Sequence, residues 1–574
     1  MDRSFAVRSS TGGGRAAHGA PRSVDVLVRG LAAAGVSHVF GVGGANIEDL
    51  YDALHASPAV TGVLAKHEFS AAAMADGHAR LTGGLGVVAA TSGGGALNLV
   101  PALGESFASR VPVLALVGQP ATGIEGRGAF QDTSGAPGCL DAEAVFGAVA
   151  RYCARLDAPH DLQHRLAEAI EAALAPPGGP AVLLLPKDVQ QARVTGCAGL
   201  PRPRAEVAPH NRELPRAVGV LEAARRAGGV LVIAGDDVAR RGAREDLARL
   251  VDALDARVAV APDGKDAFDN GDPRFVGVSG VMGHPTVTRA LRESSACLLV
   301  GTRLPVVARD GLDHLLAGRP VVAVSRERPH VGSIVLPGDL APTLRALTHR
   351  LSGPPARQAR QPSGVERYPG ARPAGGGIGY VEAMAVIEAA LPRGARVFVD
   401  AGNCGAAAIH HLAVPRGGRF VVAMGMGGMG YTFGAAIGAS FADSADVART
   451  FVIAGDGAFY MHGLEVHTAV EHGLPITFIV LNNNAHAMCV TREQLHYGGR
   501  YSYNRFAGTS IAAGVNAMFP SLEARNATTA LELADALVAT GSAPGPAFIS
   551  VDCDADEMPP VAAFLREGMI PCQR

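Results

Sequence analysis

Residues 450–484 read TFVIAGDGAFYMHGLEVHTAVEHGLPITFIVLNNN. TFVIA is an apolar, β-branched run ended by Gly455-Asp456-Gly457, and ITFIVLN is a second ended by Asn482-Asn483-Asn484. Between them GLEVHTAVEH carries helical spacing and is stopped by Gly473 and Pro475. Strand, helix and strand in about thirty residues form the parallel βαβ unit. Both turn clusters then fall at the carboxyl ends of neighbouring strands, where open α/β sheets bind ligands. The glycines allow close backbone approach, and the helix N-terminus beyond them favours an anion such as phosphate. A carboxylate and a carboxamide oxygen are hard donors suited to Mg²⁺. Ordinary Asx turns explain either cluster alone. Two such clusters at adjacent strand ends point to one magnesium that in turn holds a diphosphate.

Outward from this unit the same pattern continues. Apolar runs recur as VSHVFGV, LGVVAAT, VPVLALVG and PAVLLLP, then GVLVIAG, RVAVAP, ACLLVG and PVVAVS, then RVFVD and PAFISVD, with helical patterns between them. The fold class that follows is α/β, in three doubly wound parallel-sheet domains. The Pro-, Gly- and Arg-rich segment 353–375 reads as a linker, and a weaker break falls near 199–212. The expected organisation is an arm at 1–20 without ordered structure, domains at 21–195, 205–352 and 376–556, and a tail at 557–574. The strand spacing of the last domain resembles that of the first.

With 574 residues, 48% of them hydrophobic, the chain is long enough for several cores. A formal net charge of −2 provides no basic field for nucleic acid or an anionic membrane. No apolar run is long enough to span a bilayer, and the N-terminal residues lack an apolar signal core. Eight scattered cysteines, without a CxxC pair, fit free thiols in a reducing cytoplasm better than disulfides or zinc. A cytoplasmic enzyme acting on small molecules is the expectation.

Several long motifs occur together and in order: KHEFSAAAMADGHARLTG, TSGGGALN, VPVLALVGQPA, GAFQD, PAVLLLPKDVQQ, GMGGMGYTFGAAIGA and the GDG–NNN stretch. They resemble the thiamine-diphosphate-dependent enzymes, and over nearly all of residues 23–556 the acetolactate synthase branch. The resemblance implies a pyrimidine-binding, a central and a diphosphate-binding domain, with Mg²⁺ and thiamine diphosphate as cofactors. It makes Glu68 the carboxylate that hydrogen-bonds the cofactor's pyrimidine ring, with Gly44, Phe130 and Gln131 beside the reacting centre. Met429, flanked by Gly427 and Gly428, matches the apolar residue that props the cofactor into its bent shape. Asp456 and Asn483 match the metal ligands, with the Ala485 carbonyl as a third. Gly402, Asn403 and Cys404, Gly455, Gly457 and Ala458, and His486, Ala487 and Met488 match further cofactor-contact positions. The branch usually carries a different pair where Asn403 and Cys404 stand. The family also implies a homodimer or homotetramer whose active sites lie at the chain interface.

The implied activity is a carboligase that decarboxylates pyruvate or a related 2-keto acid and transfers the acyl anion to a carbonyl acceptor. Members of the branch select the acceptor with a tryptophan shortly after the NN motif. This chain has no tryptophan, and Arg492 stands at the aligned position. His486 likewise replaces an aliphatic residue, so Arg492 and His486 become candidates for substrate specificity. The alternatives are a simple 2-keto-acid decarboxylase and a non-catalytic homologue that retains the fold. Decarboxylases often use paired histidines near the pyrimidine domain, whereas the only HH here, His410-His411, lies in the last domain. The central domain, with GVSGVMGHP and LLVGTRLP in order, resembles the FAD-carrying domain of the branch but lacks GxGxxG. Both an FAD site and a domain that has lost its flavin stay open.

Overall fold

The computed structural model describes residues 20–194, 211–351, 364–370, 375–442, 449–541 and 543–561. The arm expected at 1–20 and the tail expected at 557–574 lie largely outside the described residues, as does much of the segment read as a linker. Of that segment, residues 364–370 dock on the body: the Glu366 N–H donates to Thr286 Oγ1 and the Tyr368 N–H to His410 Nε2.

Three six-stranded sheets are built entirely of parallel pairs. The first contains β1 (His38–Gly41), β2 (Thr61–Leu64), β3 (Gly86–Ala90), β4 (Val113–Gln119), β5 (Tyr152–Arg155) and β6 (Pro180–Pro186), ordered 2-1-3-4-6-5. The second contains β7 (Val230–Ala234), β8 (Arg257–Val260), β9 (Phe275–Val278), β10 (Ala296–Val300), β11 (Val321–Val324) and β12 (Ile334–Leu336). Its order, β9-β8-β7-β10-β11-β12, is the 3-2-1-4-5-6 arrangement of dinucleotide-binding domains. The third contains β13 (Arg396–Val399), β14 (Arg419–Val422), β15 (Thr450–Gly455), β16 (Ile476–Asn482), β17 (Ala524–Ala527) and β18 (Ala547–Asp552). Its order, β14-β13-β15-β16-β18-β17, repeats that of the first sheet strand for strand.

The twelve apolar runs of the sequence are the four inner strands of each sheet. The six strands they miss are the six edges. Edge strands have one neighbour and are short here, and TGVL, YCAR and ARNA are partly polar and partly exposed. A second difference lies in GLEVHTAVEH. A helix already begins at Asp456 and ends at His462, a 3₁₀ turn covers Gly463–Glu465, and Val466–Glu471 resumes the helix. Phe459 packs so tightly against Gly463 that a Cβ there would lie 2.1 Å from its ring.

The apolar cores run across the domain junctions. One continuous cluster joins the central and last domains, and another joins the first and last. At the second junction the Glu68–Thr82 helix crosses the Tyr431–Ser440 helix in direct backbone contact.

Candidate active site

The first group of candidate residues gathers at the carboxyl edge of the first sheet. Glu68 opens its helix just beyond β2, and His67 caps it by accepting the Phe69 N–H at 3.0 Å. Asn98 Nδ2 donates to Glu68 Oε2 at 3.0 Å, and a Cβ on Gly95 would lie 2.9 Å from Glu68 Oε1. Gly44 abuts Thr91, whose hydroxyl donates to Gln131 Oε1 at 3.3 Å. Phe130 is exposed on the rim, its carbonyl accepting from Asn46 Nδ2. The structure therefore brings Gly44, Glu68 and Gln131 together, with Phe130 at the border.

The second group lies at the carboxyl edge of the third sheet, where β15 and β16 are parallel neighbours with Gly455 opposite Leu481. Asp456 is buried at the start of its helix, and Asp456 Oδ2 and Asn483 Oδ1 converge on the Ala485 N–H at 3.2 and 3.1 Å. Burial pushes the Asp456 carboxyl up to about 6, against the hydrogen bonds it accepts from the Gly457, Ala485 and Asn484 backbones. A cation placed there would favour the charged form. The three asparagines divide the work. Asn482 Nδ2 donates to the Thr509 carbonyl and Asn484 Oδ1 accepts the Thr509 N–H, so these two anchor the 505–509 loop. Only Asn483 is left facing Asp456.

Around this pair the other candidates assemble. A Cβ on Gly457 would lie 2.5 Å from His486 Nδ1 and 3.1 Å from Met429 Cε, which places those two side chains beside the GDG turn. The His486 ring meets Phe506 edge-on at 4.7 Å. Gly455 faces Cys404 Sγ at 3.9 Å from its would-be Cβ, and burial pushes the Cys404 thiol far up, so it stays protonated. Gly402 holds φ at +98° with open space where a side chain would be, at the N-terminus of the Asn403–His411 helix. Asn403 is 4% exposed, and among the described residues the Tyr380 hydroxyl is the polar group beside its carboxamide. A buried carboxamide with so little polar company beside an open helix N-terminus fits a diphosphate group. Ala458, Ala485 and Ala487 are buried, and Met488 packs against the small cluster of Ala406 and Val561. Among the described residues no cluster of three or more His, Cys, Asp or Glu side chains is placed to hold a metal ion. The groups that meet here are instead one carboxylate and one carboxamide oxygen, both on the Ala485 N–H.

Two supports escaped sequence reasoning. Asp400, fully buried at the end of β13, accepts from the N–H groups of Gly430 (3.0 Å) and Thr432 (3.2 Å) and from the Thr432 hydroxyl (2.6 Å). It thereby ties the Gly427–Met429 turn to the sheet. Its signal was available, since an acid ending an apolar strand is the same feature that marks Asp456. Asn98 closes the quoted TSGGGALN motif but was not singled out.

Within one chain, no hydrogen bond among the described residues joins the Glu68 group to the Asp456 group. The backbone flanking Glu68 is fastened instead to the far end of the Asp456 helix. His462 stacks on Phe69 at 4.1 Å and meets His67 at 5.1 Å, while Glu465 accepts the Lys66 N–H. Arg492 lies exposed on the Ala487–Tyr497 helix, one turn beyond Met488 and without a partner among the described residues. His410 and His411 are buried at the opposite end of the helix that Asn403 begins. His410 stacks on His284 of the central domain at 4.3 Å.

The turn after β7, the phosphate-binding position of its sheet type, reads Gly235-Asp236-Asp237. Gly264 presses on it, its would-be Cβ 2.5 Å from the Gly235 backbone. A nearby cavity of about 380 Å³ is lined by five arginines and four carboxylates. Arg80 lies between Asp76 (2.6 Å) and Asp236 (3.5 Å), Arg240 pairs with Asp237, Arg110 and Arg303 share Glu327, and Arg326 pairs with Asp339. Two carboxylates at the diphosphate turn do not fit a dinucleotide there.

Comparison with known proteins gives three family matches. Residues 22–136 match the N-terminal TPP binding domain of thiamine pyrophosphate enzymes, residues 214–347 their central domain, and residues 400–551 their C-terminal TPP binding domain. Similar proteins include a probable acetolactate synthase large subunit of Methanocaldococcus jannaschii, 26% identical over 84% of this chain and 83% of that one. The acetolactate synthase large subunit of Pyropia yezoensis is 27% identical over 94% and 92%. The isozyme 3 large subunit of Escherichia coli is 27% identical over 83% and 85%. Among the described residues no helix is long and apolar enough to cross a membrane.

Proposed function

Because the chain belongs to the thiamine pyrophosphate enzyme family, with its N-terminal, central and C-terminal domains, we propose that it is a thiamine-diphosphate- and Mg²⁺-dependent carboligase. Its donor is pyruvate or a related 2-keto acid and its acceptor a carbonyl compound. The observation that carries this is the convergence of Asp456 and Asn483 on the Ala485 N–H at the paired strand ends. When bound, the cofactor supplies the nucleophilic carbon and the electron sink for decarboxylation. Asp456, Asn483 and the Ala485 carbonyl would hold the cation, and the Gly402–Asn403 helix start would receive the diphosphate. Glu68, steadied by Asn98, would exchange a proton with the pyrimidine ring. Met429 would support the cofactor from a turn that Asp400 fixes. Gln131 and Phe130 would border the substrate, and Arg492, exposed on the helix that Ala487 begins, is the candidate to meet an anionic acceptor.

The active form is a homodimer or a pair of dimers in which Glu68 of one chain meets Asp456 of another. Two features support this. The Glu68 segment is bound to the end of the Asp456 helix remote from Asp456, and exposed apolar side chains Leu64, Phe130, Met426 and Leu464 border the two edges in sequence. The central domain acts without a flavin, because Asp236 and Asp237 occupy its diphosphate turn.

The test is incubation of the purified protein with a panel of 2-keto acids and carbonyl acceptors, with products identified by mass spectrometry. Asp456→Ala should abolish both CO₂ release and ligation. Full activity in that variant, or in protein stripped of Mg²⁺ and thiamine diphosphate, overturns the assignment, and stoichiometric flavin released on denaturation overturns the flavin-free central domain.

A further inference from the structure

Glu465 is 2% exposed, in the 3₁₀ turn that directly follows the Asp456–His462 helix. Both of its carboxylate oxygens lie 3.1 Å from the Lys66 nitrogen, a residue 399 positions away in the first domain, and its Oε1 accepts the Thr468 hydroxyl at 2.7 Å. Lys66 stands two residues before Glu68, just outside the helix that Glu68 opens. Its N–H would otherwise be a donor left at the domain junction without a partner. Charge-assisted hydrogen bonds of this kind are stronger and more directional than neutral ones. The Phe69–His462 ring stack holds the same short segment from the other side of Glu68. Asn98 fixes the Glu68 carboxylate itself. The Glu68 carboxylate is thus held at an oxygen by its own domain, and the backbone two residues before it is held by another.

We propose that Glu465 is a positioning residue for Glu68. By clamping the Lys66 amide it sets where the Glu68 carboxylate stands. The proposal rests on the proton-exchanging role given to Glu68. Displacing a reacting group by about an ångström costs on the order of a hundredfold in rate, so Glu465→Ala should lower kcat by about ten- to a hundredfold. Affinity for Mg²⁺ and thiamine diphosphate, read by fluorescence titration, should stay within about twofold, since residues that act through Glu68 do not touch the metal set. Glu465→Gln keeps an acceptor for both Thr468 and Lys66 and should recover most of the loss.

The deciding measurement is a double-mutant cycle with Glu68→Gln. If Glu465 acts through Glu68, adding Glu465→Ala to Glu68→Gln should lower kcat by less than about twofold further. A full additional loss, or equal weakening of cofactor affinity and kcat, overturns the positioning role. If Glu465→Ala does not fold, Thr468→Val, which removes one of the bonds steadying the carboxylate, runs through the same cycle with the same criterion. Near-normal turnover in Glu68→Gln alone instead overturns the role of Glu68, so the two failures are told apart.

Discussion

Glu68→Ala and Asp456→Ala each remove one group of the proposed site, and each homomeric variant should be inactive. In a two-chain site the lesions lie on opposite sides of the interface. A mixed dimer then contains one site with both lesions and one with neither. If the two chains are co-expressed in equal amounts and pair at random, half of the dimers are mixed and half of their sites are intact, so about a quarter of wild-type specific activity should return. The assay is CO₂ release from pyruvate per mole of chain, with the two chains carrying different affinity tags and mixed assemblies isolated through both. Tandem-purified mixed dimers should then reach about half of wild-type activity. The structural basis is the remote attachment of the Glu68 segment: its neighbours His67 and Phe69 contact His462, at the opposite end of the helix that Asp456 begins. If both groups served one site within a chain, no mixture could restore activity. Inactive mixed assemblies that still bind Mg²⁺ and thiamine diphosphate, or a fully active monomer in sedimentation, would refute the two-chain site.

Arg492→Trp replaces an exposed guanidinium, suited to pairing with a carboxylate or phosphate, by a flat apolar wall. Losing one charge-assisted contact of about 1.5–3 kcal/mol should lower kcat/KM for an anionic acceptor by roughly ten- to a hundredfold while leaving CO₂ release from pyruvate nearly unchanged. An unchanged acceptor KM and product ratio would show that Arg492 serves only as a surface charge. A separate expectation concerns acid. His284 accepts the Val278 N–H at Nδ1 and donates from Nε2 to the His410 carbonyl, while His410 accepts the Tyr368 N–H and donates to the Met282 carbonyl, so both rings are held neutral. Burial first, with Lys265 and Arg367 nearby, lowers His284 to about 2 and His410 to about 4 from the usual 6.5. The unfolded chain therefore binds more protons than the folded one below about pH 6.5, and stability falls as pH drops from there toward 4. For His284 alone the loss should be about 2 kcal/mol by about pH 5. Urea midpoints at neutral and mildly acid pH would show it, and a His284→Gln variant with the same slope would contradict it.

The inner strands were legible because each is covered on both faces and must be a continuous apolar run, as in VVAA, VLLL and FIVL. The edges were not, because a strand with one neighbour tolerates the arginine of YCAR or the polar pair in ARNA. The site was legible for a related reason. Its glycines, acid and amides sit at the ends of those same buried strands, where little else explains them. Glu465 could not be read this way. In GLEVHTAVEH it has the look of a solvated helix charge, and only a contact 399 residues away in sequence buries it. His410-His411 posed the reverse problem, since a pair that suggests catalysis from its chemistry is a packed junction with the central domain.

The repeated strand order of the first and third sheets gives one chain the two functional edges that the proposed two-chain site requires. In each sheet the helix after the second strand begins at the functional edge: Glu68 starts one, and the Met429–Gly430 turn starts the other. These equivalent helices cross with glycine against backbone at three points. A Cβ on Gly77 would come within 2.0 Å of the Ala435 carbonyl, one on Gly438 within 2.0 Å of the Met74 carbonyl, and one on Gly434 within 2.5 Å of the Ser70 carbonyl. Backbone against backbone leaves no room to slide, and the buried bond from the Tyr431 hydroxyl to Asp76, with Arg80 over the Tyr431 ring, fixes the crossing further. The two edges of one chain are therefore parts of one rigid body, with the Glu68 segment held at the remote end of the Asp456 helix. A rigid body that carries two complementary half-sites can complete them by pairing with a second copy of itself about a two-fold axis, and that pairing yields two equal sites.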